Sequence, residues 1–172
     1  MRNVTRENIQ EHSLQAAMIA HGLAVIRNKY FSGDVNAEKV ALLAVYHDSN
    51  ETITGDLPTP IKYFNPEIRG AYKDLETVSK EKLLSLLPGE LRDEYRSILF
   101  YDEQSIEGRI VKAADRICAY IKCMEELKAG NGEFQKAQQS ILKKIQAIDL
   151  PEVKYFMDHF LENFSLTLDE LN

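Results

Sequence analysis

Tryptophan is absent from this chain of 172 residues, and cysteine occurs only twice, as Cys118 and Cys123. The two thiols stand five positions apart and form no CxxC pair. Two are too few for a disulfide scaffold, so the sequence predicts reduced thiols and a cytoplasmic setting. Long apolar runs are missing as well. No window approaches the roughly 18 apolar residues of a membrane span, which predicts no membrane partner. Met1-Arg2-Asn3 leads into polar sequence without the apolar core of a secretion signal. Positive charge is in deficit: 21 Lys and Arg stand against 27 Asp and Glu, a formal net charge of −6. That balance predicts no nucleic-acid partner. It leaves a small phosphorylated ligand open, because a metal ion can supply positive charge locally. Runs of β-branched and aromatic residues with period two are scarce. There is no internal repeat and no low-complexity segment.

What remains is the composition of a globular protein, 44% hydrophobic and 28% charged. Its length predicts one domain spanning residues 1–172, with a core of ordinary size. Apolar residues fall at helical spacing from about Asn8 to Arg27, and His12 shares that stripe with Ala16, Ile19 and Leu23. A loop is expected around Gly33, with Asn36 capping the next helix and Val35 packing before it. Pro66 suits the first turn of another helix, which stops before Pro88-Gly89. Helical stripes continue over Glu90–Phe100, Ser105–Lys128, Phe134–Ile148 and Pro151–Phe164. In the last of these Val153, Phe156, Met157, Phe160 and Leu161 are expected inside. The reading is an all-α bundle of six or seven helices.

The chain is organised around Tyr46-His47-Asp48-Ser49-Asn50-Glu51. The preceding Val40–Val45 run is apolar throughout, and a helix apolar all round is expected to be buried. It ends in an imidazole and two carboxylates. Unpaired charge at the end of a buried helix is costly, and a bound metal would answer the need. Gly55 and the prolines after it are expected to stop the helix and fix a loop. Asp115 stands within a second apolar stripe, between Ala113-Ala114 and Ile117-Cys118. A histidine on an apolar face is, by itself, usually a hydrogen-bonded core residue, and a lone aspartate usually caps or pairs. Two imidazoles and two carboxylates from three buried helices require a common partner. His12, His47, Asp48 and Asp115 therefore form a candidate nitrogen–oxygen metal site. Such a set suits a divalent transition ion (Mn, Co, Fe, Ni, Zn or Cu) better than Ca or Mg. Glu51 follows Asp48 by three residues and, on a helix, shares its face. It is a candidate to handle a proton without ligating the ion.

The order His, then His-Asp, then Asp resembles the HD-domain metal phosphohydrolases. The fuller set is Glu11-His12-Ser13, His47-Asp48-x-x-Glu51, Gly55-Asp56-Leu57-Pro58-Thr59-Pro60 and Ala114-Asp115. It is similar to the bacterial HD-domain 5'-deoxynucleotidases, and the similarity continues through Lys62-Tyr63-Phe64-Asn65 to Ser165–Glu170. The resemblance implies an HD-domain helical fold acting on deoxyribonucleoside 5'-monophosphates. It implies metal ligation by His12, His47, Asp48 and Asp115. Glu51 is implied as the catalytic carboxylate, with Asp56 in the catalytic set. His12, Asp48, Asp56, Leu57, Pro58, Thr59 and Asp115 are implied in substrate binding, and a homodimer is implied as the assembly.

The family also carries an N-terminal helix ending in an Arg-Trp pair that contacts the substrate phosphate. This sequence begins next to where that helix would end, and it has no tryptophan. The expectation is an upstream gene start or a partly missing phosphate site. Two other readings remain. Alarmone hydrolases of the HD type carry two adjacent acids after the dyad, whereas Glu51 here precedes Thr52. A metal-stabilised binding module without turnover is the other.

Overall fold

A computed structural model describes residues 3–4, 6–57, 59–62 and 64–171. Among the described residues there is no strand. The helices are α1 (Ile9–Tyr30), α2 (Ala37–Tyr46), the single turns α3 (Glu51–Thr54) and α4 (Thr59–Lys62), α5 (Pro66–Ser85), α6 (Arg92–Leu99), α7 (Ile106–Lys128), α8 (Gln135–Gln146) and α9 (Pro151–His159). Seven of these have eight residues or more, which matches the all-α expectation. No helix among the described residues is long and apolar enough to cross a membrane.

Helices α1, α2 and α7 pack on one another and carry most of the core. Their facing residues include Ala16, Ala20 and Ala24 of α1, Ala44 of α2, and Ala113 and Ala114 of α7, all buried. Small side chains there let the backbones approach closely, while Leu23, Val40, Leu43, Ile110, Ile117 and Ile121 fill the remaining space. Helix α9 closes over α1, α8 packs on α7, and α5 lies outside with α3, α4 and α6.

Local chemistry fixes where these helices begin. The Asn8 side chain accepts hydrogen bonds from the amides of Gln10 and Glu11, both at 3.0 Å, and Glu11 reaches back to the amide of Asn8 at 3.2 Å. This reciprocal cap starts α1 one turn before His12. Ser105 caps α7 by accepting from the amide of Gly108 at 3.1 Å. A Cβ at Gly108 would collide with the backbone at Asp102 and Glu103, so the chain entering α7 lies flat against its first turn.

Three expectations are corrected. α1 continues to Tyr30, one turn past the predicted end. Asn28 does not break it, because its side chain is occupied elsewhere: it accepts from the amide of Val35 at 2.9 Å and donates to the carbonyl of Val35 at 2.7 Å. That pair pins the α1–α2 loop. α2 is not buried all round, since only Val40, Leu43 and Ala44 face the core while Leu42 and Val45 are exposed. Helices α1 and α7 cover one side and α6 meets its end at Tyr46, which leaves Leu42 and Val45 uncovered. α9 ends at His159, and Leu161–Ser165 form a 3₁₀ turn, so Phe160 lies exposed rather than inside.

Two buried carboxylates join distant parts of the chain. Glu152 of α9 has no exposed surface and meets one guanidinium nitrogen of Arg27 through both oxygens, at 3.2 and 3.1 Å. Removing Arg27 would strand the buried Glu152 charge, at a cost of about 3–5 kcal/mol. Glu126 of α7, equally buried, accepts from the amide of Val4 and from the Asn131 side chain, each at 2.8 Å.

Candidate metal centre

Three elements deliver four side chains to one point. His12 stands one turn before Ala16 on the core face of α1. His47 is the cap that ends α2, with Asp48 directly after it. Asp115 projects from the middle of α7, next to buried Ala113 and Ala114. One potential ligand atom from each lies within 4.8 Å of all the others. His47 Nε2 is 3.0 Å from Asp48 Oδ2 and 3.9 Å from Asp115 Oδ1. His12 Nε2 is 3.5 Å from Asp48 Oδ2 and 3.3 Å from Asp115 Oδ1. Metal–ligand bonds of roughly 2.0–2.2 Å put ligands about 3–4 Å apart around a single ion, so these separations fit one.

The tautomer of His47 strengthens the fit. Its Nδ1 is 2.7 Å from the carbonyl oxygen of Ala44. A carbonyl can only accept, so Nδ1 carries the hydrogen and donates it. In the neutral ring Nε2 then presents a lone pair to the cluster. That atom is buried and has no hydrogen bond of acceptable geometry, despite the carboxylate 3.0 Å away. A lone pair facing two carboxylates needs a cation between them. Orienting an imidazole through a backbone carbonyl is the usual outer support of a metal-ligating histidine.

With protons alone in that role, the ionisations are strongly displaced. Burial works against charging His47, but the carboxylates of Asp115 and Asp48 beside it push it up to about 10. His12 is likewise raised, with Asp115 overcoming the effect of burial. Burial would lift Asp115, yet the two imidazoles hold it well below the usual carboxylate range. Protein surrounds the Asp115 carboxylate, but the side chain keeps 42% of its accessible surface, so one side of the cluster is open. Open coordination of this kind is the mark of a catalytic rather than a structural site.

Between α2 and α3 the chain does not continue as a helix. Residues 47–50 form turns, with the amide of Ser49 bonded to the carbonyl of Tyr46 at 3.1 Å and that of Glu51 to Asp48 at 2.9 Å. The helical spacing expected for Asp48 and Glu51 is therefore replaced by a tighter turn. Glu51 opens α3 with its side chain only 8% exposed. Burial, followed by the charge of Asp48, raises its carboxyl above the ordinary range. Its Oε1 accepts from Lys62 Nζ at 2.9 Å. Gly55 adopts φ 69°, a left-handed conformation that suits glycine, and turns the chain out of α3. Asp56 follows, exposed, with Oδ1 at 3.8 Å from Lys62 Nζ. Leu57 is half-buried. Pro58 and the side chain of Thr59 lie outside the described residues.

Three further residues stand at the edge of the cluster: Glu76 and Tyr101 carried no sequence signal, and Lys62 entered only through the family resemblance. Lys62 ends α4 and lies over the Tyr72 ring, 4.8 Å from its centroid. Glu76 of α5 is raised mainly by burial, and it feels both Lys62 and Asp48. Tyr101 is raised by burial, then by the charges of Glu103, Asp48 and Asp115. A lysine after a proline turn, a glutamate on an amphipathic helix and a tyrosine in a loop each read as ordinary surface.

The family model for YfbR-like 5'-deoxynucleotidases matches residues 1–164. This chain belongs to the YfbR-like 5'-deoxynucleotidase family. It is 55% identical over 174 residues to a 5'-deoxynucleotidase of Photorhabdus temperata, covering all of this chain and 88% of that one. It is 52% identical over 175 residues to a 5'-deoxynucleotidase of Yersinia pestis, with the same coverage. An HD-domain phosphohydrolase of known structure from Listeria innocua superposes with a TM-score of 0.82 at 25% identity, over 95% of this chain and 79% of that one. A protein from Pyrococcus horikoshii shares the fold, with a TM-score of 0.64 at 23% identity over 94% of this chain and 84% of that one. For a YfbR-like chain, the α1–α2–α7 packing is thus the HD-domain frame, and the His/Asp cluster sits within it.

Proposed function

We propose that His12, His47, Asp48 and Asp115 hold one divalent transition ion, and that Glu51 handles a proton beside it during hydrolysis of 2'-deoxyribonucleoside 5'-monophosphates. The chain is a 5'-deoxynucleotidase, a phosphoric monoester hydrolase. The roles of individual residues rest on the geometry. The observation that carries them is the buried Nε2 of His47, without a hydrogen bond and facing two carboxylates. An ion bound there supplies Lewis acidity to a phosphoryl oxygen and makes water more acidic.

Glu51 does not belong to the group of four donors within 4.8 Å. Its raised carboxyl, close enough to sense Asp48, supports proton handling over ligation. Asp56 is exposed on the loop after Gly55, free to accept a hydrogen bond from a sugar hydroxyl. Leu57 follows on that loop, and the same reading counts Pro58 and Thr59 among the substrate contacts. A loop closed against the sugar rejects a 2'-hydroxyl by leaving it without a partner, at a cost of roughly 1–3 kcal/mol.

Phosphate release from a panel of 5'-monophosphates tests this reading. Deoxynucleotides should outrun ribonucleotides, with little difference among bases, and equal rates on both sugars would refute the sugar contact. Glu51→Ala should keep its ion while losing on the order of 10²–10⁴-fold in turnover. Loss of the ion from that variant would make Glu51 a ligand instead.

The same reading includes a homodimer in the cytoplasm. Supporting the location, Cys118 and Cys123 are both free and buried. Supporting the dimer, Phe160 and Phe164 leave apolar rings exposed beyond α9. Light scattering at micromolar concentration that finds only a 19.7 kDa species would refute the dimer.

A further inference from the structure

Glu51 opens a helix of only four residues, flanked by turns on one side and by Gly55 on the other. One turn of helix is a weak platform, because its few hydrogen bonds cost as much to order as they return. A carboxylate that must meet a reacting water within a few tenths of an ångström needs an outside hold. Among the described residues, the hydrogen bond from Lys62 Nζ, at 2.9 Å, is the one the Glu51 side chain makes. The ammonium is itself held. It lies 4.8 Å from the centroid of the Tyr72 ring, Tyr72 is buried on α5, and the Lys62 side chain is only 20% exposed. Asp56 stands 3.8 Å from the same nitrogen. One cation thus touches both the carboxylate beside the metal cluster and the loop that follows it.

We propose that Lys62 is a positioning residue for the reaction: anchored on Tyr72, it fixes the Glu51 carboxylate for proton handling and ties it to the loop bearing Asp56. The inference rests on the role given above to Glu51. Lys62 acts through that carboxylate and does not contact the substrate phosphate. Two consequences separate this from a merely structural pair. The effect of losing Lys62 falls on kcat rather than KM, because a misplaced acid–base group slows the step without weakening ground-state binding. The effect also disappears once Glu51 can no longer serve, because two residues in one chain of action are not additive.

The test compares Lys62→Gln, Lys62→Arg, Glu51→Gln and the double variant Glu51→Gln/Lys62→Gln, all metal-loaded, on a deoxynucleoside 5'-monophosphate. Metal content and thermal unfolding are followed in parallel. Glutamine is neutral and one atom shorter than lysine, so it releases Glu51 while leaving a polar, similarly shaped side chain that limits the risk of misfolding. Arginine keeps the charge and the fold if glutamine does not. Lys62→Gln is expected to retain its ion and its KM while losing kcat on the order of 10–10²-fold. Lys62→Arg should lose less, and the double variant should be no slower than Glu51→Gln alone. A raised KM at unchanged kcat, or losses that multiply in the double variant, would overturn the inference by making Lys62 an independent contact. Full turnover in Lys62→Gln alongside a slow Glu51→Gln would overturn it alone. Full turnover in Glu51→Gln would overturn the role of Glu51 first, and this inference with it.

Discussion

The four donors of the candidate centre were legible because each breaks a local pattern. His12 and Asp115 interrupt apolar stripes, and His47-Asp48 ends one. An ionisable group at a position that should be apolar is a physical anomaly even before its neighbours are known. Glu126 and Glu152 show the limit of that argument. Both are more buried than any of the four donors, yet they sit in helices rich in charge, where another glutamate is unremarkable. Beside the local Lys122 and Asn131, Glu126 reaches Val4, 122 residues away, and Glu152 reaches Arg27, 125 residues away; no local period reports such long-range pairings. The contact of Lys62 with Glu51 escaped for a related reason: the two stand eleven positions apart, across a loop. The donor set gives a direct prediction at this scale. Asp115→Ala removes the oxygen that faces both imidazoles, so the parent should hold about one ion per chain and the purified variant should lose most of it. Metal analysis of both proteins checks this, and full occupancy in the variant would remove Asp115 from the set.

At the scale of elements, the long helices were readable and the short ones were not. α1, α5 and α7 run for 20 residues or more, enough turns for their apolar stripes to stand out. The starts of α2 and α5 were readable too, from Asn36 and Pro66, because caps and N-terminal prolines are local chemistry. Helix ends depended on contacts from elsewhere. α1 extends to Tyr30 because Asn28 spends its side chain on Val35. The segment after α2 reads as helix by spacing, yet it turns at residues 47–50 so that His47 can both cap α2 and face the cluster. α2 misled in a different way. An apolar surface all round predicts cover on every side, but α1, α7 and α6 together leave a face open, and Leu42 and Val45 lie outside. The residue pattern states what a helix could bury, and tertiary packing decides what it does bury.

At the scale of the whole molecule, the chain shows one frame with its chemistry at the junction of three helices. The same helices that meet at the cluster also build the core, so the site and the fold are not separate parts. His12, His47 and Asp115 are far apart in sequence, and an ion shared among them would act as a removable cross-link between segments that the core also holds together. Binding to the folded chain alone makes the melting temperature a function of free metal concentration. Stability gains about 2.7 kcal/mol at a hundredfold excess over the dissociation constant. Dialysis against a chelator should therefore lower the melting temperature, and titrating the ion back should raise it in proportion to the logarithm of its concentration. An unchanged melting curve would mean that the helices hold without the ion. If the dependence is present, the cell's supply of a trace element sets how long this enzyme survives as well as how fast it works, and a starved cell loses the protein along with the activity.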